Sequence, residues 1–145
     1  MILEGSREVS APLDKVWDFL VDLNKVTKCI PDTTVESIEG DSFKAKMKVG
    51  VGFIRGTFDG TFSLTDKKPK SEVTIKGSAK GMGNNLNLSV RIMLEPIDTN
   101  KVQLKWSADV LLAGMLASVG QRYIKDTADK IVNQMFECLS QSLSS

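Results

Sequence analysis

The sequence predicts an α+β fold in which a curved antiparallel sheet of six to seven strands wraps a long C-terminal helix. Two changes of period carry the prediction. From about residue 33 to 111, apolar and polar residues alternate with period two between regularly spaced turn signals. After Gly114 the period lengthens, and Leu116, Val119, Tyr123, Ile124, Ile131, Met135, Phe136 and Leu139 recur at helical spacing. A third observation is that a strand and two short helices precede the alternating region.

The chain opens with a strand over about residues 2–9. Ser10-Ala11-Pro12 then starts a helix, with proline in the first turn and Ser10 or Ala11 near the cap. Leu13, Val16, Trp17 and Leu20 fall at i, i+3, i+4 and i+7 and make one apolar stripe. A second short helical piece around Asp22–Lys28 stops at Cys29-Ile30-Pro31, because the residue before proline resists the helical region. Five alternating strands follow, carrying Phe43 to Val51, Ile54 to Leu64, Val73 to Ala79, Leu86 to Leu94 and Val102 to Val110 on one face. Turn residues separate them at Glu39-Gly40-Asp41, Lys67 to Lys70, Gly81 to Asn85 and Pro96 to Asn100. The pattern is an antiparallel meander with one wet and one buried face. No internal repeat or linker interrupts it, so residues 1–145 are expected to form a single domain.

A C-terminal helix of up to roughly 29 residues would be about 43 Å long. Six or seven strands make a sheet roughly 25–30 Å wide, against a helix only ~10–12 Å across. A flat sheet would leave apolar surface bare, so it must curl. Gly56, Gly60 and Gly77 share the inward parity of Phe58, Phe62 and Ile75, where glycine permits bending and leaves space. Such an inner face either encloses an apolar void suited to a small molecule or closes up as an ordinary packed core. The pattern alone leaves both open.

Composition removes several classes of function. With 19 basic and 18 acidic residues the net charge is +1, which gives no global attraction to nucleic acid or an anionic membrane. No apolar run approaches the ~18 residues of a membrane span. The first residues lack the basic and apolar segments of a signal peptide, so a cytoplasmic location is expected. Histidine is absent, which removes the commonest general base and metal ligand together. Cys29 and Cys138 make neither a disulfide framework nor a metal-binding spacing and are expected as reduced, partly buried thiols. Neither Gly50-Val51-Gly52-Phe53 nor Gly81-Met82-Gly83 is a phosphate loop, since no P-loop lysine or helix follows; both read as strand ends near a cavity opening.

A set of ordered motifs runs through almost the whole chain. These are Gly5 with Ser10-Ala11-Pro12, Val16-Trp17, Cys29-Ile30-Pro31, Lys46-Met47-Lys48-Val49-Gly50, Phe58-Asp59-Gly60, Trp106-Ser107-Ala108, Gly114 to Arg122, and Phe136-Glu137-Cys138-Leu139. In these the chain resembles the CoxG family, the G subunits of carbon monoxide dehydrogenase and their relatives, within the START-like (SRPBCC), helix-grip superfamily. The resemblance implies a sheet gripping a long C-terminal helix, with a hydrophobic tunnel for lipid-, quinone- or polyketide-like molecules between them. It also implies an association with a molybdenum-type carbon monoxide dehydrogenase, through maturation, membrane recruitment or quinone delivery. Two departures stand out. Asp32 occupies the usual glycine position after Ile30-Pro31, and the sequence ends at Ser145 where many members continue into a membrane anchor. A direct anchoring role is therefore not expected, whereas a carrier role is.

The cavity-lining candidates are Met47, Phe58, Gly60, Trp106, Val119, Tyr123, Met135 and Arg7. Trp106 and Tyr123 combine an apolar body with a polar tip that would orient a ligand or be satisfied within the core. Met47 and Met135 could adapt to varied shapes, and with Phe58 and Val119 they are wall or plain core. Arg7 shares parity with Leu3, Gly5 and Val9; turned inward it would need an anionic or oxygen partner, and on an edge or bulged strand it reaches solvent, which is the expected outcome. Lys44, Lys46 and Lys48 form an outer basic stripe, read as a solvated face or a docking patch. A soluble carrier is the leading expectation, an interaction module docking on a dehydrogenase comes next, and an enzyme comes last. An enzyme would have to draw on Tyr123, Asp109, Arg7 or Asp126, which form no evident pair. No cofactor or metal site is expected.

Overall fold

The computed structural model describes residues 1–144. The element order is β1 (Ile2–Val9), α1 (Leu13–Leu20), α2 (Leu23–Val26) with a 3-10 turn (Thr27–Cys29), then β2 (Thr33–Glu39), β3 (Ser42–Val51), β4 (Ile54–Lys68), β5 (Glu72–Gly81), β6 (Asn84–Asp98) and β7 (Lys101–Ala113). A second 3-10 turn (Gly114–Ser118) leads into α3 (Gln121–Leu143). All seven strands form one antiparallel sheet in the order β1-β7-β6-β5-β4-β3-β2. β2 to β7 are the meander, and β1 returns across the sheet to pair with β7, with α1 and α2 spanning the gap between the two edges.

Local chemistry accounts for the short helices. Pro12 itself takes the N-cap position of α1, one residue later than the sequence suggested, and its carbonyl accepts from Lys15 and Val16 at 3.1 Å. Val16, Trp17, Phe19 and Leu20 are then buried. The Asp22 carboxylate caps α2 by accepting from the Asn24 amide at 3.0 Å, a contact of the kind that contributes ~1 kcal/mol.

The last helix is shorter than its periodicity suggested. It covers 23 residues, about 34 Å, because Gly114 to Gly120 leave the helical path. Gly114 has φ +80°, and the buried Asn84 side chain accepts from the Leu116 amide at 2.9 Å, pinning a 3-10 turn where a helix was expected. Val119 is extended, with ψ 134°, and belongs to the junction instead of α3.

Two apolar clusters hold the halves together. The larger lies under α1, α2 and the C-terminal end of α3, with Val9, Val16, Phe43, Phe62, Val102 and Leu139 among its buried members. The smaller joins Val51, Ile54, Phe58, Leu116, Val119 and Ile124 at the other end of α3. Cys29 and Cys138 form a disulfide, with Cα atoms 5.4 Å apart, correcting the expectation of two reduced thiols. They lie 109 residues apart in sequence and meet only because the last turns of α3 dock on the first 3-10 turn.

Candidate ligand-binding site

The site is the inner face of the sheet beneath the middle of α3. The helix buries Ile124 near its start and Leu139 near its end, while Ala128, Val132 and Met135 on the same stripe remain half-buried. Opposite them, the inward row of β6 (Leu86, Leu88, Val90 and Ile92) is also half-buried, although β6 lies well inside the sheet. The backbone neighbours of α3 are β1, β3 and the first 3-10 turn, at the margins of the sheet. The helix thus packs on the sheet at both ends, and between them lies a hollow only in the sense that the apolar side chains on either side stay partly open to water. The sequence left a void and a packed core open; the two ends are packed, and the middle keeps partly exposed side chains.

The inward glycines do not create that hollow. Phe62 spreads its ring over Gly60 and Gly77, stacking on Phe43 with centroids 5.2 Å apart. A methyl added at Gly60 would also lie 2.7 Å from Met47 Cε. Gly60 therefore makes room for neighbouring side chains and not for a ligand. Gly5 acts in the same way, facing Trp106 across the β1–β7 pair. A methyl there would lie 2.8 Å from the indole, which lies flat over the bare backbone.

Trp106 is the exceptional residue. Its indole Nε1–H is buried and has no hydrogen-bond partner among the described residues. Leaving such a donor unpaired costs ~1–3 kcal/mol.

Arg7 lies half-buried on the edge strand β1 and reaches solvent as expected, with exposed hydrogen bonds on the side facing α3. Its Nη2 donates to Asn133 Oδ1 on α3 at 2.7 Å, its Nη1 donates to the Ser6 carbonyl at 2.8 Å, and its guanidinium lies 5.8 Å from the Phe136 ring centroid. It ties β1 to α3 along one flank of the hollow. Met135, two residues beyond Asn133, is half-buried on the helix stripe, and Met47 is half-buried where the two clusters meet. Arg7 and Met135 thus lie at α3, Trp106 against Gly5 and Met47 between the two clusters.

The remaining candidates lie elsewhere. Phe58 and Val119 are buried members of the smaller cluster and act as core. Tyr123 is 56% exposed on the first turn of α3, against the Gly52 turn. Helical phase misassigned it because the helix starts later than expected, at Gln121. Asn84, with 2% exposure, was not singled out in the sequence; its place in a turn gave no sign that it would bridge to Leu116.

On the outer face, Lys44, Asp59, Thr61, Ser78, Lys80 and Asn87 help line a shallow polar cleft of about 650 Å³. Lys46 answers Asp59 at 3.5 Å, so the basic stripe is partly neutralised. Glu72 receives Arg91 (2.6 and 3.2 Å) and Lys68 (3.3 Å), and the Arg91 hydrogen bonds hold its carboxyl down at about 2. Among the described residues no helix is long and apolar enough to cross a membrane, and no cluster of three potential metal ligands occurs.

Comparison with known proteins adds to this geometry. The model of the CoxG family, described as the G subunit of carbon monoxide dehydrogenase, matches residues 5–144. No curated protein matches the chain. The crystal structure of a conserved protein from Geobacillus kaustophilus is similar at 26% identity, with 99% of this chain and 95% of that one covered and a TM-score of 0.91. An aromatase/cyclase from a Streptomyces species shares 14% identity over 99% of this chain and 93% of its own, with a TM-score of 0.70. A START superfamily protein from Mycobacterium smegmatis shares 10% identity over 99% and 97%, also with a TM-score of 0.70. The last two likenesses establish the helix-grip fold alone.

Proposed function

This chain belongs to the CoxG family of carbon monoxide dehydrogenase G subunits, and on that premise we propose that it is a non-catalytic carrier of a lipid- or quinone-like molecule bearing an oxygen acceptor. The observation that supports the reading is the apolar surface left partly open on the inner face, Leu88 and Val90 on β6 and Val132 and Met135 on α3. A ligand carbonyl or ether oxygen would reach the Trp106 Nε1–H once the indole, closed off from water against Gly5, swings toward the opening, and the bond would then add about tenfold in affinity for ~1.4 kcal/mol. The hydrocarbon part would lie along Leu88 and Val90 beneath Val132 and Met135, whose partial exposure leaves apolar surface to cover.

Catalysis fits less well, because an acid or base must stand beside the substrate. Tyr123 and Asp126 are exposed, Asp109 lies 4.0 Å from the N-terminal amine, and Arg7 is committed to Asn133. The proposed recipient of the cargo is a molybdenum-type carbon monoxide dehydrogenase, and the proposed place of work is the cytoplasm. Disulfides rarely persist in that compartment. Cys29–Cys138 recovered oxidised from acid-quenched, alkylated cells would therefore move the protein to an oxidising compartment.

Native mass spectrometry of gently purified protein, followed by organic extraction, tests the carrier reading. The expected result is a reproducible extra mass released on unfolding. Trp106→Phe, which keeps the ring and loses the donor, is expected to retain about a tenth of the cargo affinity. A bare chain that also refuses added quinones and fatty acids would replace the carrier with the docking module.

A further inference from the structure

Helix α3 covers the inner face of the sheet, yet it is fastened unevenly. Near its start Ile124 is buried in the smaller cluster, and Thr127 Oγ1 donates to the Gly50 carbonyl at 3.4 Å. Toward its end the buried side chain is Leu139. Val132, Met135 and Phe136 stay half-buried, and the hydrogen bond from Arg7 to Asn133 is exposed to water. What holds this end most firmly is the covalent bond from Cys138 to Cys29. Residues 133–143 are fewer than the ~12–15 that an isolated helix needs in water, so this half frays once it is unfastened.

The two cysteines sit on opposite sides of that closure. Cys29 belongs to the fixed side, only 6% exposed within the larger cluster. Its turn is held by the Asp22 cap, by the buried Thr27 hydroxyl donating to the Leu23 carbonyl, and by the Thr33 hydroxyl donating to the Pro31 carbonyl at 3.0 Å. Cys138 belongs to the covering helix and is half-buried against the same cluster, which makes it the side an external thiol approaches. A reduced cysteine packs as a small apolar group. The site therefore accommodates both redox states, and the oxidised one alone clasps the helix.

We propose that Cys29–Cys138 is a reversible clasp, opened by a thiol reductant of the glutathione class, whose opening frees residues 133–143 and uncovers the inner face beneath Val132 and Met135. One reductant thiolate attacks the Cys138 sulfur, breaks the S–S bond and expels the Cys29 thiolate, leaving a mixed disulfide on Cys138. A second attacks the reductant sulfur of that mixed disulfide and expels the Cys138 thiolate. Both cysteine thiolates take up protons. The two electrons come from the two reductant thiols, which leave joined as their own disulfide. Excess of that disulfide drives the same steps backward. In a reducing compartment such bonds are transient and redox-sensing. The release of α3 is independent of the carrier reading; the passage of cargo through the opening rests on it.

Hydrogen exchange of the whole chain in glutathione buffers of graded redox ratio tests the clasp. Residues 133–143 are expected to exchange at least about tenfold faster in the reduced protein, with β4 to β6 still protected and the original pattern restored by oxidised glutathione. Cys138→Ala, which cannot close the bond, should show the open pattern in every buffer. In growing cells, acid-quenched and alkylated, the pair is expected as thiols, and after treatment with diamide as the disulfide. Added decylubiquinone should leave the reduced form at least about tenfold faster than the oxidised one. Decylubiquinone that binds neither form counts against the carrier reading, and the exchange pattern then decides the clasp by itself. Four results would overturn the proposal. These are unchanged exchange at residues 133–143, a uniform rise across sheet and helix such as a purely structural staple would give, a disulfide recovered from untreated cells, or equal release of bound quinone from both forms.

Discussion

Breaking the Cys29–Cys138 bond is expected to remove a large share of the protein's stability. The bond closes a loop between residues 109 apart in sequence. In the chain-entropy description, a loop of that length restricts the unfolded ensemble by about 16 cal/mol/K, or about 4.8 kcal/mol at 25 °C. Native domains are stable by only ~5–15 kcal/mol. The Cα separation of 5.4 Å is within the usual disulfide range, so a geometric penalty offsetting the entropic gain is not expected. The bond also fastens the last turns of α3, beside the buried Leu139, to a 3-10 turn that buries Cys29. Guanidinium unfolding should be followed for the oxidised protein, the dithiothreitol-reduced protein and Cys29→Ala/Cys138→Ala. A loss of about 3–5 kcal/mol is expected in both bond-free forms, with a steeper denaturant dependence because the unfolded chain is then less compact. Hydrogen exchange should rise most near Leu139 at the end of α3. A loss below about 1 kcal/mol, or two titratable thiols in the non-reduced unfolded chain, would refute the reasoning.

Three further outcomes follow from the packing and the charges. Gly77→Ala puts a methyl 2.7 Å from Phe62 Cε1, against ordinary contacts of ~3.5–4.0 Å, and should cost ~1–3 kcal/mol. In a double-mutant cycle by chemical denaturation, Phe62→Leu should relieve part of that cost, whereas strict additivity would mean that the ring is not the obstacle. Asn84→Ala leaves the Leu116 amide without its buried acceptor and should cost ~1–3 kcal/mol in the same assay, with exchange at Leu116 rising first. Glu72 has a folded pKa of about 2 against an ordinary 4.5, so its contribution to stability is present above pH 4.5 and is lost as pH falls through about 2. Glu72→Gln should flatten the stability profile in that window, and a carboxyl resonance titrating near 4.5 would contradict the assignment.

Local pattern was enough to establish most of the fold. Alternation over residues 33–111 marks strands because successive side chains face opposite sides of a pleated backbone, and helical recurrence after Gly114 marks α3 for the corresponding reason. Parity also put Trp106 and Met47 on the inner face correctly, since antiparallel register preserves facing across every ladder. Absolute helical phase was less secure. A glycine at φ +80° and one buried asparagine bond delayed α3, leaving Tyr123 in solvent and Val119 in the smaller cluster. Cross-strand neighbours were beyond the pattern too, because Phe62 covers both its own strand's Gly60 and the next strand's Gly77.

The elements, their order, the curled sheet and the apolar inner face were all legible in the chain, because they follow from side-chain period and turn chemistry over a few residues. Three facts came from long-range packing alone: Cys29 meets Cys138, Asn133 holds Arg7, and the Trp106 N–H is left without an acceptor. The first two depend on where α3 comes to rest, and the third on β1 returning to lay Gly5 against Trp106 about a hundred positions away, and no local period encodes that distance.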